Sequence, residues 1–163
     1  MKIYIGASKD TRKRIYMHFY HSIESSLLRK RIAQSRDYQI IYTPRPAPAI
    51  TMEVTLAIPA LEDNITEYLE AGKWKFVECR NRPEAVAFKD FAISRLDPML
   101  IQTNNEYPLG IILRFEELLL QLNNCQEYTL SLYNLQMIPK SPGVHLFISE
   151  QDPSAGLNKK NDR

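Results

Sequence analysis

The chain has 163 residues, of which 44% are hydrophobic and 25% are charged. This length suits one ordinary domain that buries a core, and this composition excludes the class of disordered chains. The apolar stretches, such as residues 109–113, are far shorter than the roughly 20 residues that a membrane-spanning helix needs. Two cysteines are too few for a disulfide framework, and Met1 does not open a signal peptide. We therefore expect a cytoplasmic protein that does not enter a membrane.

The charges are distributed unevenly along the chain. Residues 1–36 hold nine Lys or Arg and two Asp or Glu, a charge of +7, so the rest carries −5 of the net +2. Lys and Arg gain affinity for a polyanion by neutralising its phosphates and releasing counterions, which makes DNA a candidate partner. The alternative is an ordinary solvated helix face, because basic runs often serve only solubility.

The N-terminal part predicts a strand followed by a helix. Lys2–Ala7 is rich in β-branched and aromatic residues, which is typical of a short strand. A helix is predicted from Lys9 to about Ala33, with a break at residues 22–26, and Ser8 is the predicted N-cap. Its buried stripe is predicted to consist of Ile15, Phe19, Ile23, Leu27 and Ile32.

The rest of the chain alternates between strands and helices. Strands are predicted at residues 38–43, 50–58, 73–79, near 128–132 and within 138–148, and helices at 59–71, 82–96 and 113–122. Three prolines in residues 44–49 predict a stiff connector, and residues 150–163 predict a disordered tail. This alternation predicts an α/β fold in which a small mixed β-sheet is flanked by helices.

Two segments resemble the GIY-YIG nuclease family, which includes a domain of the excision-repair endonuclease subunit UvrC. In KIYIGASKDTRKRIYMH at residues 2–18, residues 4–6 match the family's YIG sequence, Arg14 matches its catalytic arginine, and His18 fits an RxxxH variant. EAVAFKDFAISRLDPML at residues 84–100 resembles the family's later helix. The resemblance covers about the first hundred residues and implies a GIY-YIG-like core over residues 1–101.

The sequence departs from the family pattern at three places. Lys89 stands where the family carries its metal-binding glutamate, and residues 100–101 replace the family's asparagine. The family's opening strand does not precede residue 2, but PKSPGVHLF at residues 139–147 resembles that strand, with His145 in place of the usual tyrosine. Either a permutation or strand exchange returns this strand beside Tyr4, or a second truncated domain begins here, or the match is fortuitous. In the first case residues 102–149 complete the core.

The resemblance implies cleavage of phosphodiester bonds with Mg²⁺ or Mn²⁺ as the cofactor. Its catalytic candidates are Tyr4, Arg14, His18 and His145. A guanidinium binds two phosphate oxygens at once and stays charged, and a divalent cation stabilises the departing oxygen. The structural alternatives are a core aromatic for Tyr4, a surface cation for Arg14 and a packed helix residue for His18. A lysine at position 89 removes an anionic ligand that Mg²⁺ needs, so the metal ligands stay unassigned.

Three functions are compatible with these observations. The first is a GIY-YIG-type DNA endonuclease. The second is a catalytically degenerate nucleic-acid-binding module. Its nucleic-acid-binding candidates are Lys9, Arg12, Lys13, Arg29, Lys30 and Lys89. The third is a protein-interaction subunit that presents the apolar helix Leu113–Leu122, through which, or through strand exchange, the chain would form a homodimer.

Overall fold

The computed structural model describes residues 2–96, 107–131 and 133–150. The predictions for residues 100–101 and for the tail over 151–163 lie outside these ranges. The elements in chain order are β1 (Lys2–Ser8), α1 (Thr11–Tyr20), α2 (Leu27–Ser35), β2 (Ile40–Pro44), β3 (Met52–Leu56), α3 (Leu61–Ala71), β4 (Lys73–Glu78), α4 (Arg82–Leu96), α5 (Leu109–Asn124), a 3-10 turn (Leu135–Met137) and β5 (Gly143–Ser149). The predicted α/β class is confirmed. Within the described ranges, every helix is too short or too polar to cross a membrane.

The strands of the described residues form two separate antiparallel sheets. One has the order β1-β5-β4 and the other pairs β2 with β3, so the pairing is antiparallel throughout rather than mixed. β5 pairs with β1 from Lys2 opposite Ser149 to Ser8 opposite Gly143. The C-terminal strand therefore returns beside Tyr4 within one chain and forms the centre of the sheet. The predicted strand near residues 128–132 is reduced to one bridge between Tyr128 and Trp74 among the described residues.

Helices cover both faces of the three-stranded sheet. Successive residues of a strand point to opposite faces, and β5 follows this rule. Phe147 packs in a core formed with α1, α2 and α3, whereas Val144 and Leu146 pack in a second core formed with α4 and α5. β1 lies at the edge of the sheet, between α1 and α2 on one side and α4 on the other. This arrangement leaves the outer edge of β1 in a groove between two layers of helices.

The observed ends and caps of α1 and α2 agree in part with those predicted from the sequence. The predicted break is confirmed, because α1 ends at Tyr20 and Ser26 caps α2 by accepting a hydrogen bond from the Arg29 N–H at 3.2 Å. The cap of α1 is Asp10, whose carboxylate accepts from the Lys13 N–H at 2.9 Å. The prediction of Ser8 as the cap is wrong, because Ser8 is still paired in β1 and the helix begins only at Thr11.

The predicted apolar helix is part of α5 and is divided between the core and the surface. Leu118 and Leu122 are fully buried, whereas Leu113 and Leu120 are each more than half exposed. The buried pair makes this helix part of the fold itself. A homodimer through the exposed leucines stays a prediction. A homodimer through strand exchange also stays a prediction, because β5 already pairs with β1 of its own chain.

Candidate functional site

A groove runs along the outer edge of β1, and its walls come from three helices. α1 contributes Arg14, α2 contributes Arg31, and α4 contributes Lys89, while Tyr4 lies on β1 itself. The cavity between them has a volume of about 330 Å³. Apolar residues and the β1 backbone complete the lining: Ile3, Ile5, Gly6, Ala7, Leu27, Ile93 and Leu96. The fold thus brings together three cations that are far apart in the sequence.

A second pocket, of about 360 Å³, continues the first along α1 and shares Ala7 and Arg14 with it. We call the two pockets together the basic groove. Its cations are Lys9, Lys13, Arg14, Arg31, Arg82 and Lys89. Among the described residues that line it, Asp10 carries the one carboxylate, and that carboxylate already caps α1. The lining is therefore strongly positive, which suits an anionic ligand.

Tyr4 is set to act as a neutral hydroxyl in this groove. Burial raises the pKa of the Tyr4 phenol, and the nearby charges of Arg14 and Arg31 oppose that rise only in part. The Arg31 guanidinium lies over the phenol ring, 5.8 Å from its centre. The hydroxyl therefore keeps its proton at neutral pH and can donate it in a hydrogen bond to an anion.

Behind Tyr4 lies a pair of buried histidines. The ring of Tyr4 is 5.8 Å from that of His18 and 6.0 Å from that of His145, measured between centroids. His18 Nδ1 lies 2.7 Å from Ser26 Oγ, and the two Nε2 atoms lie 3.2 Å apart. Two arrangements of the protons satisfy these contacts equally well. Either the Ser26 hydroxyl donates to His18 Nδ1 and His18 Nε2 donates to His145 Nε2, or His145 Nε2 donates to His18 Nε2 and His18 Nδ1 donates to Ser26 Oγ.

Burial and the neighbouring positive charges keep both imidazoles neutral. Burial, and after it the charge of Arg14, lower the pKa of His145 to about 3. The pKa of His18 is also well below its usual range, first because of burial and then because of the charges of His145, Arg14 and Arg29. The geometry also excludes a doubly charged pair, since protonating both rings would put two N–H groups face to face across 3.2 Å. With exposures of 1% and 0%, the two histidines support Tyr4 from behind and do not line the groove.

Of the nucleic-acid-binding candidates, Lys9, Lys13 and Lys89 lie in the basic groove. Arg12 instead fixes the segment before β5, by donating to the carbonyl oxygens of Gln136 and Ile138 at 2.6 and 2.5 Å. The ammonium of Lys30 lies 5.0 Å from the centre of the Tyr42 ring, and Lys30 is not among the residues of the groove. Both residues therefore stabilise local structure.

Arg29 is the nucleic-acid-binding candidate that the structure contradicts most clearly. Its side chain is 2% exposed and forms an ion pair with Glu62, with Nη2 2.8 Å from Oε2. It also donates to the backbone carbonyl of His18 at 2.8 Å. A side chain this deeply buried cannot reach a nucleic acid, so the prediction of Arg29 as a contact residue is wrong.

Arg31 and Arg82 are groove residues that sequence reasoning missed. Arg31 belongs to the same basic run as Arg29, but it follows Leu27 by one helical turn and shares its groove-facing side. This spacing could have identified Arg31 from the sequence. It did not, because Leu27 was predicted to belong to the buried stripe, whereas the structure leaves it 53% exposed. Arg82 begins α4 and reaches the second pocket only because α4 packs against β1, whose end lines that pocket together with α1.

The donor set does not fit the divalent cation that the family resemblance implies. Asp10, the one carboxylate of the lining, caps α1, and three carboxylates outside the lining have other partners. Asp90 lies 3.4 Å from the Lys89 ammonium, Glu84 pairs with Arg114, and Glu78 accepts from a serine hydroxyl. In the part of the chain that the structure describes, histidines, cysteines and carboxylates do not form a group of three or more that could hold a metal ion. Magnesium prefers carboxylate oxygens, and three cations would repel it.

Comparison of the chain with family models, curated protein sequences and solved structures finds no match. What the site can do therefore follows from its geometry. It offers a neutral hydroxyl, two guanidinium groups and an ammonium along an open strand edge, with further cations beside them. This set can hold the oxygens of phosphate groups by charge-assisted hydrogen bonds.

Proposed function

We propose that the chain binds nucleic acid in the basic groove, with the phosphate backbone lying along the outer edge of β1. One observation carries the proposal: six cations and a single, engaged carboxylate line two pockets that share Ala7 and Arg14. A continuous strip of cations suits a repeating anion better than an isolated one, because successive phosphates each release counterions. Both cysteines are free, which suits the reducing, cytoplasmic location that we include in the proposal.

Lys89 has the central role in this proposal. Its ammonium shares the first pocket with Arg14 and Arg31, and among the described residues it pairs with Asp90 on the same helix. Both side chains of that pair are about 30% exposed, and exposed pairs of this kind contribute little. A phosphate can therefore compete for the ammonium, and Lys89 supplies positive charge at the position where the family resemblance implies a glutamate.

Binding is tested by fluorescence anisotropy with labelled oligonucleotides over a range of salt concentrations. Arg14→Ala and Lys89→Ala should each weaken binding and lower the slope of log K against log salt by about 1, as expected for one lost phosphate contact. Arg95→Ala is the matched control, because Arg95 is a cation of the same helix as Lys89 but pairs with Glu116 away from the groove. If the wild type does not bind at low salt, or if Arg95→Ala has the same effect, the proposal is wrong.

Hydrolysis of the bound phosphodiester is a second candidate function. It is favoured by the meeting of Tyr4 and Arg14 in one pocket, as the resemblance implies. The test is incubation of supercoiled and branched DNA with the wild type and Arg14→Ala, in Mg²⁺, Mn²⁺ or EDTA. Nicks made by the wild type alone would support hydrolysis, and a dependence on metal would require a carboxylate outside the groove lining. Retardation without nicks would reject hydrolysis and leave the binding proposal standing.

A further inference from the structure

The outer surface of α1 carries a stacked pair of tyrosines. Tyr16 and Tyr20 are one helical turn apart, and their rings are nearly parallel, with centroids 4.1 Å apart and planes inclined by 18°. They are 42% and 47% exposed. Two aromatic rings thus present a flat, largely apolar surface to the solvent on the helix that forms one wall of the basic groove.

This pair borders the groove. Residues three and four apart lie on the same face of a helix, so Lys13, Tyr16, Met17 and Tyr20 form one continuous strip along α1. Lys13 and Met17 of that strip line the second pocket of the groove. A nucleic acid whose phosphate is held by Lys13 would therefore bring its neighbouring bases to the level of the two tyrosine rings.

We propose that Tyr16 and Tyr20 form a stacking platform for an unpaired base, so that the groove selects single-stranded nucleic acid. This inference rests on the proposed function. The bases of a duplex are stacked on one another and closed to the side, whereas a base in a single strand can turn its face onto an aromatic ring. Proteins that bind single strands combine a cationic track for the backbone with aromatic rings for the bases, and α1 presents both side by side. The competing explanation is that the pair only stabilises α1 as an i, i+4 contact.

The test compares the affinity for a single-stranded oligonucleotide with that for its duplex at fixed salt. The double variant Tyr16→Ala/Tyr20→Ala should weaken single-strand binding about tenfold or more, because stacking of a base on an aromatic ring has that effect. Duplex affinity and the salt slope should not change, since the cations remain. Tyr16→Phe/Tyr20→Phe should keep wild-type affinity, because it removes the hydroxyls but keeps the aromatic rings. Tyr133→Ala is the matched control, because Tyr133 is 88% exposed in another part of the chain.

Each outcome decides between the two proposals. If the double alanine variant lowers the affinities for single strand and duplex equally, or lowers neither, the stacking platform is refuted while the binding function stands. The same holds if the wild type prefers the duplex. If the wild type binds neither form at low salt, the proposed function itself fails, and the platform fails with it. A circular dichroism spectrum of each variant checks that α1 is still formed.

Discussion

Acidification from pH 7 to pH 5 is expected to destabilise this fold through its buried histidines. The pKa of His145 is about 3 in the folded chain, against about 6.5 in an unfolded one. Between these values the unfolded state binds more protons than the folded state, so the free energy of unfolding falls as the pH falls. At pH 5 this linkage amounts to about 2 kcal/mol for His145 alone. The lowered pKa of His18 adds to the loss with the same sign.

The assay is urea unfolding at pH 7 and at pH 5, at constant ionic strength, followed by circular dichroism. For the wild type, the free energy of unfolding should be at least about 2 kcal/mol lower at pH 5. His145→Gln should reduce that pH-dependent difference by about 2 kcal/mol, whatever it does to the stability at pH 7. His21→Gln is the matched control, because it removes an exposed imidazole instead of a buried one. A wild-type difference below about 1 kcal/mol, or an unchanged difference in His145→Gln, would refute the assignment of neutral buried histidines.

Three further predictions test the core and the groove. Glu62→Ala should lower the free energy of unfolding by about 3 kcal/mol, because it leaves Arg29 charged and buried without its partner. Glu24→Ala breaks an exposed pair and should lower the free energy of unfolding by less than about 1 kcal/mol in the same denaturant titration. Gly6→Ala should lower the free energy of unfolding by about 2 kcal/mol, because the added methyl group would overlap the buried imidazole of His145 on β5. Gly110→Ala, where the space is open, should raise the free energy of unfolding by about 0.5 kcal/mol. Equal effects of the two changes would contradict this packing. Lys89→Glu should weaken nucleic-acid binding in EDTA more than Lys89→Ala does, and part of that loss should be recovered in Mg²⁺, because a carboxylate and a phosphate can share a divalent cation. The same recovery in Lys89→Gln would contradict that explanation.

Much of the secondary structure could be predicted because it depends on neighbours in the sequence. The predicted break at residues 22–26 is real, and the helix predicted over residues 82–96 matches α4. Periodicity and capping act over a few residues, which is why such patterns can be read directly. The strand within residues 138–148 was also visible in its β-branched and aromatic run. The strands that pair with it could not be predicted, because strand pairing depends on how distant parts of the chain come together.

The sequence by itself determined the alternation of elements and the basic character of the first 36 residues. Only the tertiary structure decided that β5 lies between β1 and β4, and that α4 brings Lys89 into the pocket of Arg14. It also separated Arg29 from Arg31, two residues of one basic run, because α3 covers one side of α2 and supplies Glu62 there. The charge pattern of a helix is local, but whether a cation meets a carboxylate or solvent depends on what packs against it.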